Sequence, residues 1–110
     1  MQTLLESVRM SVRVRTDSYD DELIMYALAA LYDLDRLNIK YNHFDDKENI
    51  FNANDVEPEV VNCVCTYVKS QFGNTQADYK EKLYKAYVKL RDMLMLDVSH
   101  KHSKYTNYEV

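Results

Sequence analysis

Three histidines, two cysteines, paired carboxylates and ten tyrosines are the residues of this chain that could do chemistry. Catalysis needs an acid, base or nucleophile held rigidly near a working pKa. His43 falls in a polar stretch without periodicity, and His100 and His102 fall in a C-terminal run with nothing to fix them. His100-Lys101-His102 offers two ligands on an arm, short of the three or four that a stable zinc site takes. Cys63 and Cys65 are separated by one residue. On a helix that spacing points them about 200° apart, too far for a mutual disulfide or a shared metal. They read as small buried apolar residues of a reducing compartment. Asp20-Asp21 is better explained by the positive end of a helix than by acid–base chemistry.

Gly73 is the single glycine, so neither a dinucleotide fingerprint nor a phosphate-cradling loop can be built. The acidic run Asp45 to Asp55 lacks the glycine of a calcium loop. The chain is therefore expected to be no enzyme, with no cofactor and no metal. The tyrosines could stack on bases. Tyr79 and Tyr87 instead lie on an apolar stripe and are expected in the core, while Tyr105 and Tyr108 look like anchors at a protein interface.

The elements that must position these residues read as helices. Thr3 and Glu6 form a capping box, followed by Leu5, Val8 and Val12 at helical spacing, for a first helix ending between Ser11 and Arg13. Met10 to Arg15 also alternates apolar and polar, leaving a short extended segment as an alternative. Asp17 or Ser18 is the expected cap of a second helix, with Asp20, Asp21 and Glu22 in its first turn. Ile24, Ala27, Leu28, Leu31 and Leu34 form its stripe, Ala29-Ala30 allows close approach, and Asn38 is a left-handed stop. Residues 40–57 lose all periodicity and read as a long, mobile acidic loop that adds little core. Pro58 opens a third helix carrying Val61, Cys65, Val68 and Phe72, and Gly73 closes it. Gln76 to about Met95 is the fourth, with Tyr79, Leu83, Tyr87, Leu90 and Leu94 as its stripe and Lys80, Lys82, Lys85, Lys89 and Arg91 around it. The reading is an all-α fold: a small bundle of four helices in a domain spanning 1–96, then a flexible C-terminal arm over 97–110.

One domain is what 110 residues allow. Proline and glycine occur once each, too few for the turns of a typical sheet protein. No apolar run reaches the ~20 residues of a membrane span. The N-terminal residues lack the pattern of a signal peptide, so a cytoplasmic product with no membrane partner is expected. The net charge of −4 hides an asymmetry. Residues 1–16 carry three basic and one acidic side chain, 17–62 three and twelve, and 63–110 eight and five. Complementary surfaces for a head-to-tail contact between identical subunits are one consequence; solvated helix faces are the other.

The segments Thr66-Tyr67-Val68-Lys69-Ser70-Gln71-Phe72-Gly73-Asn74, Tyr84-Lys85-Ala86-Tyr87-Val88-Lys89-Leu90 and Leu94-Met95-Leu96 resemble the head–tail connector family of tailed double-stranded DNA phages. Val12-Arg13-Val14-Arg15-Thr16 and Tyr19-Asp20-Asp21-Glu22-Leu23 look like that family's entry into its second helix, and Pro58 opens the third in the same way. The resemblance covers roughly residues 4 to 96. Loop 40–57 is longer and more acidic than the family pattern, and the tail runs further.

The resemblance implies a homo-oligomeric, dodecameric ring at the head–tail interface of the virion, assembled in the host cytoplasm. The ring would dock beneath the portal protein, extend the channel for double-stranded DNA without reading its sequence, and offer a platform to a downstream head-closure or tail protein. The expected interface residues are Asp20, Asp21 and Glu22 of the second helix, Lys80, Lys82, Lys85, Lys89 and Arg91 of the fourth, and Tyr105 and Tyr108 of the arm. A small helical DNA-binding regulator of a phage or prophage is the alternative, with Gly73-Asn74 as its turn; another head-closure or tail-joining component is a third.

Overall fold

Thr3 opens the first helix as the local chemistry dictates. Its side chain accepts from the Glu6 backbone N–H, and the Glu6 carboxylate accepts from the Thr3 N–H at 2.8 Å. In this computed structural model, which describes residues 2–73 and 76–96, helix α1 spans Leu4–Ser11. Arg13 then takes the left-handed region at φ 62°. Val14 N–H returns to Arg9 O and Arg13 N–H to Met10 O, the paired bonds of a Schellman stop. The extended alternative over Met10–Arg15 is not adopted, because that stop consumes the hydrogen bonds a strand would need.

Helix α2 spans Asp20–Arg36. Neither Asp17 nor Ser18 caps it: Tyr19 holds the cap position with no side-chain bond, its ring edge-on to Phe72 at 5.5 Å. An aromatic contact and the Arg9–Asp20 ion pair set this helix start in place of a hydroxyl or carboxylate cap. Asn38 at φ 62° closes α2 as read from the sequence, with Ile39 N–H on Leu34 O and Asn38 N–H on Asp35 O. The buried Ile39 lies over Leu34 and completes the apolar contact of the motif.

Helix α3 spans Pro58–Gln71 and α4 spans Ala77–Leu96, with Gly73 at φ 84° just beyond α3. Among the described residues these four helices and a 3-10 turn at Ile50–Asn52 are the regular elements, and no strand forms. The third helix is the hub, packing against each of the other three. Its buried face is Val60, Cys63, Val64, Cys65 and Val68. From α2 come Leu23, Ala27, Ala30, Leu31 and Leu34, and from α1 Leu4 and Val8. Val61 and Phe72, expected on the α3 stripe, sit at its margin.

Loop 40–57 departs from the expectation that it adds little core. Tyr41, Ile50, Phe51 and Val56 are all buried in the same cluster as the helices. Leu4 N–H donates to Ala53 O at 3.0 Å, tying the loop to the start of α1. Asn42 N–H donates to Glu57, and the Asn42 side chain to Asp55 O. Lys47 donates to Phe44 O and lies over the Phe44 ring. Asp45, Asp46, Glu48 and Asp55 face outward while Tyr41, Ile50, Phe51 and Val56 face in, a pattern too irregular to register as a period. The Tyr41 hydroxyl is buried with no partner among the described residues, and burial raises its pKa. Tyr41→Phe removes an unsatisfied donor without changing shape, so thermal unfolding should show stability unchanged or raised by about 1 kcal/mol. A clear loss would mean that the hydroxyl has a partner.

Candidate functional site

Asp33 sits on α2 among apolar neighbours and gathers the densest set of polar contacts. The Tyr87 hydroxyl donates to its Oδ2 at 2.6 Å and Arg91 Nη1 to the same oxygen at 3.0 Å. Arg36, one turn on, donates to Oδ1 at 3.0 Å. Helices α2 and α4 are thereby clasped by residues far apart in sequence. Burial alone would raise the Asp33 pKa, but the hydrogen bonds from Tyr87 and Arg91 and the Arg91 charge hold it below the ordinary value. Burial also raises Tyr87, and its bond to Asp33 raises it further. Arg91 loses charge stability to burial and regains more from Asp33. The carboxylate therefore stays ionised with its lone pairs occupied, which suits a clasp better than a proton shuttle.

Beside the clasp the rings of Tyr67, Tyr84 and Tyr87 cluster, with centroids 4.9 to 6.5 Å apart. Cys63 lies behind it, fully buried, its thiol pushed up to about 12 by burial. Cys65 is also raised by burial. Both thiols should resist an aromatic disulfide reagent at about pH 8 in the native protein and react together once denaturant unfolds it. Rapid native labelling would contradict their placement.

The expected interface residues divide into three groups. Asp20, Lys80 and Arg91 are engaged inside the subunit. Asp20 accepts from Arg9 Nε at 2.8 Å, and that bond lowers its pKa. Lys80 donates to Gly73 O at 2.8 Å and to Gln71 O, meeting the negative end of α3. Asp21, Glu22, Lys82, Lys85 and Lys89 are exposed on the outer faces of α2 and α4, with Lys85 loosely paired to Glu81 at 3.5 Å. Tyr105, Tyr108, His100, His102 and the rest of the arm lie outside the described residues. His43 stands beside Asp55 in the loop, and its bond keeps the Asp55 carboxyl below the usual range. No group of three or more metal-ligating side chains converges among the described residues, and no helix there is long and apolar enough to cross a membrane.

Compared with known proteins, the chain matches no family model, no curated protein and no solved structure. Function must be argued from its own surface.

Large apolar side chains stand exposed on that surface, most of them on α2 and α4. On α2, Met25 and Tyr32 are 56% and 49% exposed, and Tyr32 borders a groove of about 450 Å³ with an apolar wall of Leu5, Ile24, Leu28 and Phe51 and a polar rim of Lys47, Glu48 and Asn52. On α4, Met93 and Leu96 are 66% and 81% exposed. Tyr79, expected in the core, is 48% exposed and lines a second groove of about 360 Å³ with Arg13, Lys69, Phe72 and Leu83. The stripe on α4 turns inward only further along, where Tyr87 and Leu94 are buried against α3. The sequence reading missed Asp33, although an acidic residue inside Leu31-Tyr32-Asp33-Leu34 was a visible signal. It also missed the exposed Met25 and Met93, which interrupt polar faces rather than extend core stripes.

Proposed function

We propose that this chain is a non-enzymatic structural subunit that assembles with copies of itself into a closed ring, in the manner of a phage head–tail connector. The observation that carries the self-assembly part is the exposure of large apolar side chains on two different faces, α2 and α4, of an otherwise well-packed helical unit. Exposed apolar patches rimmed by polar residues mark surfaces that are covered in use. Two dissimilar patches favour a head-to-tail contact, which closes into a ring when the rotation permits.

The resemblance in helix order and in the motifs of α3 and α4 supplies the connector setting. In that setting the ring docks under a portal, lengthens the passage for DNA and receives a head-closure or tail protein. A chain of net charge −4 suits a passage wall that does not grip DNA.

Sedimentation across a wide range of protein concentration tests the assembly. The expected outcome is a single large species at a fixed multiple of 13.0 kDa that dissociates on dilution. A subunit that stays single at every concentration, or a salt-dependent gel shift with DNA at low protein concentration, would overturn it.

A further inference from the structure

The outer faces of α2 and α4 carry the same order of features, charge first and apolar side chains after. On α4, Lys82, Lys85, Lys89, Met93 and Leu96 step by three, four, four and three, one exposed stripe whose Met93 also borders Glu59 and Asn62 of α3. It is cationic in its first half and apolar in its second. On α2, Asp21, Met25, Leu28 and Tyr32 step by four, three and four, with Glu22 beside Asp21. That stripe is acidic at its start and apolar after it. The separation from Lys82 to Met93 equals that from Asp21 to Tyr32, eleven residues, or about 16 Å along a helix.

Laid parallel, the two stripes put Lys82 and Lys85 beside Asp21 and Glu22. Met93 then lies against Leu28 and Tyr32, over the groove that Leu5 and Phe51 help to wall. Laid antiparallel, the lysines would face Met25 to Tyr32 and the apolar end of α4 would face Asp21. Charge and apolar content select the first arrangement. The groove's rim carries both Lys47 and Glu48, so the negative charge of the acceptor face comes from Asp21 and Glu22.

We propose that α4 of one copy docks in parallel along α2 of the next, with Met93 seated in the Leu5–Leu28–Phe51 groove and Lys82 and Lys85 paired to Asp21 and Glu22. The inference rests on the self-assembly reading and fixes which surfaces carry it. The two stripes lie on different helices of one chain, so a single head-to-tail contact leaves one copy a free α2 stripe and the other a free α4 stripe, and the same contact can repeat until a ring closes. Apolar contact supplies most of the attraction, while the charges set direction and register. The pairs that the subunit already uses internally, Arg9–Asp20 and Asp33–Arg91, take no part.

Full-length chains carrying Met93→Cys are mixed with chains carrying Tyr32→Cys under mild oxidation, the native cysteines being buried. Circular dichroism checks that both variants keep the wild-type helix content. The expected result is a mixed disulfide formed several-fold faster than Met93→Cys with Arg15→Cys, which lies off both stripes. A mixed disulfide no faster than that control overturns the docking. Sedimentation of the unmodified chain separates the two levels. Assembly without the specific cross-link sinks this contact and leaves the ring reading standing, while no assembly and no cross-link sinks both. As a second arm, reversing Lys82 and Lys85 to glutamate should abolish assembly, and adding Asp21→Lys and Glu22→Lys should restore it. Unchanged assembly with the reversed lysines also overturns the docking.

Discussion

Asp33→Ala is expected to lower stability by about 2–4 kcal/mol, a drop of roughly 10–20 °C in melting temperature for a domain of this size. The change strands Arg91, whose side chain is only 21% exposed, and leaves the Tyr87 hydroxyl without its acceptor in a buried site. Removing one member of a largely buried pair costs more than the pair contributes, because the other charge stays desolvated. The double variant Asp33→Ala with Arg91→Met should therefore recover much of the loss. A single variant within about 0.5 kcal/mol of wild type would show that the clasp does not hold α4.

The same clasp predicts an acid limb. A carboxyl whose folded pKa lies below its unfolded one stabilises the fold fully above the unfolded value, here 3.8, and loses that contribution as pH falls through the folded value. Asp20 acts in the same direction through Arg9. Wild-type stability should thus fall as pH drops below about 4, and the Asp33→Asn variant should fall less over that interval.

Ile50→Ala is the second large effect, with an expected cost of about 2–4 kcal/mol by chemical denaturation. Ile50 is fully buried although it belongs to an acidic, aperiodic stretch. Glu48→Ala and Asn54→Ala, exposed in the same loop, should each stay within about 0.5 kcal/mol of wild type. An Ile50→Ala cost no larger than theirs would mean that the loop is not part of the core.

What the sequence revealed follows from the range of each signal. Thr3 with Glu6, Asn38, Pro58 and Gly73 act on backbone groups within five residues, so their positions announce them directly. The periods of α2 and α4 announced helices and so the all-α bundle, but they placed the buried faces only in part: Ala27, Leu31, Leu34, Tyr87 and Leu94 are buried, while Ile24 and Leu28 are partly exposed on a groove. The burial of Ile50, Phe51 and Val56 was not legible, because a segment with one 3-10 turn presents apolar residues at irregular intervals. Tyr79 was misplaced for a related reason: a period says which residues share a face, not how far a neighbouring helix covers it. Asp33 and Arg91 are 58 residues apart, and only the fold, in which α2 and α4 both pack on α3, reveals that Arg91 is spent inside the subunit. The acidic–basic asymmetry was visible from composition, but which members stay free for a neighbour depends on those internal pairs.

Negative-stain electron microscopy of the purified protein, at concentrations where it sediments as a multimer, tests the central claim most directly. Annular particles of uniform diameter with an open centre are expected, and they should disappear for the Lys82→Glu, Lys85→Glu variant. Solid particles without an opening, open filaments, or single subunits at every concentration would contradict a ring built from these two helix faces.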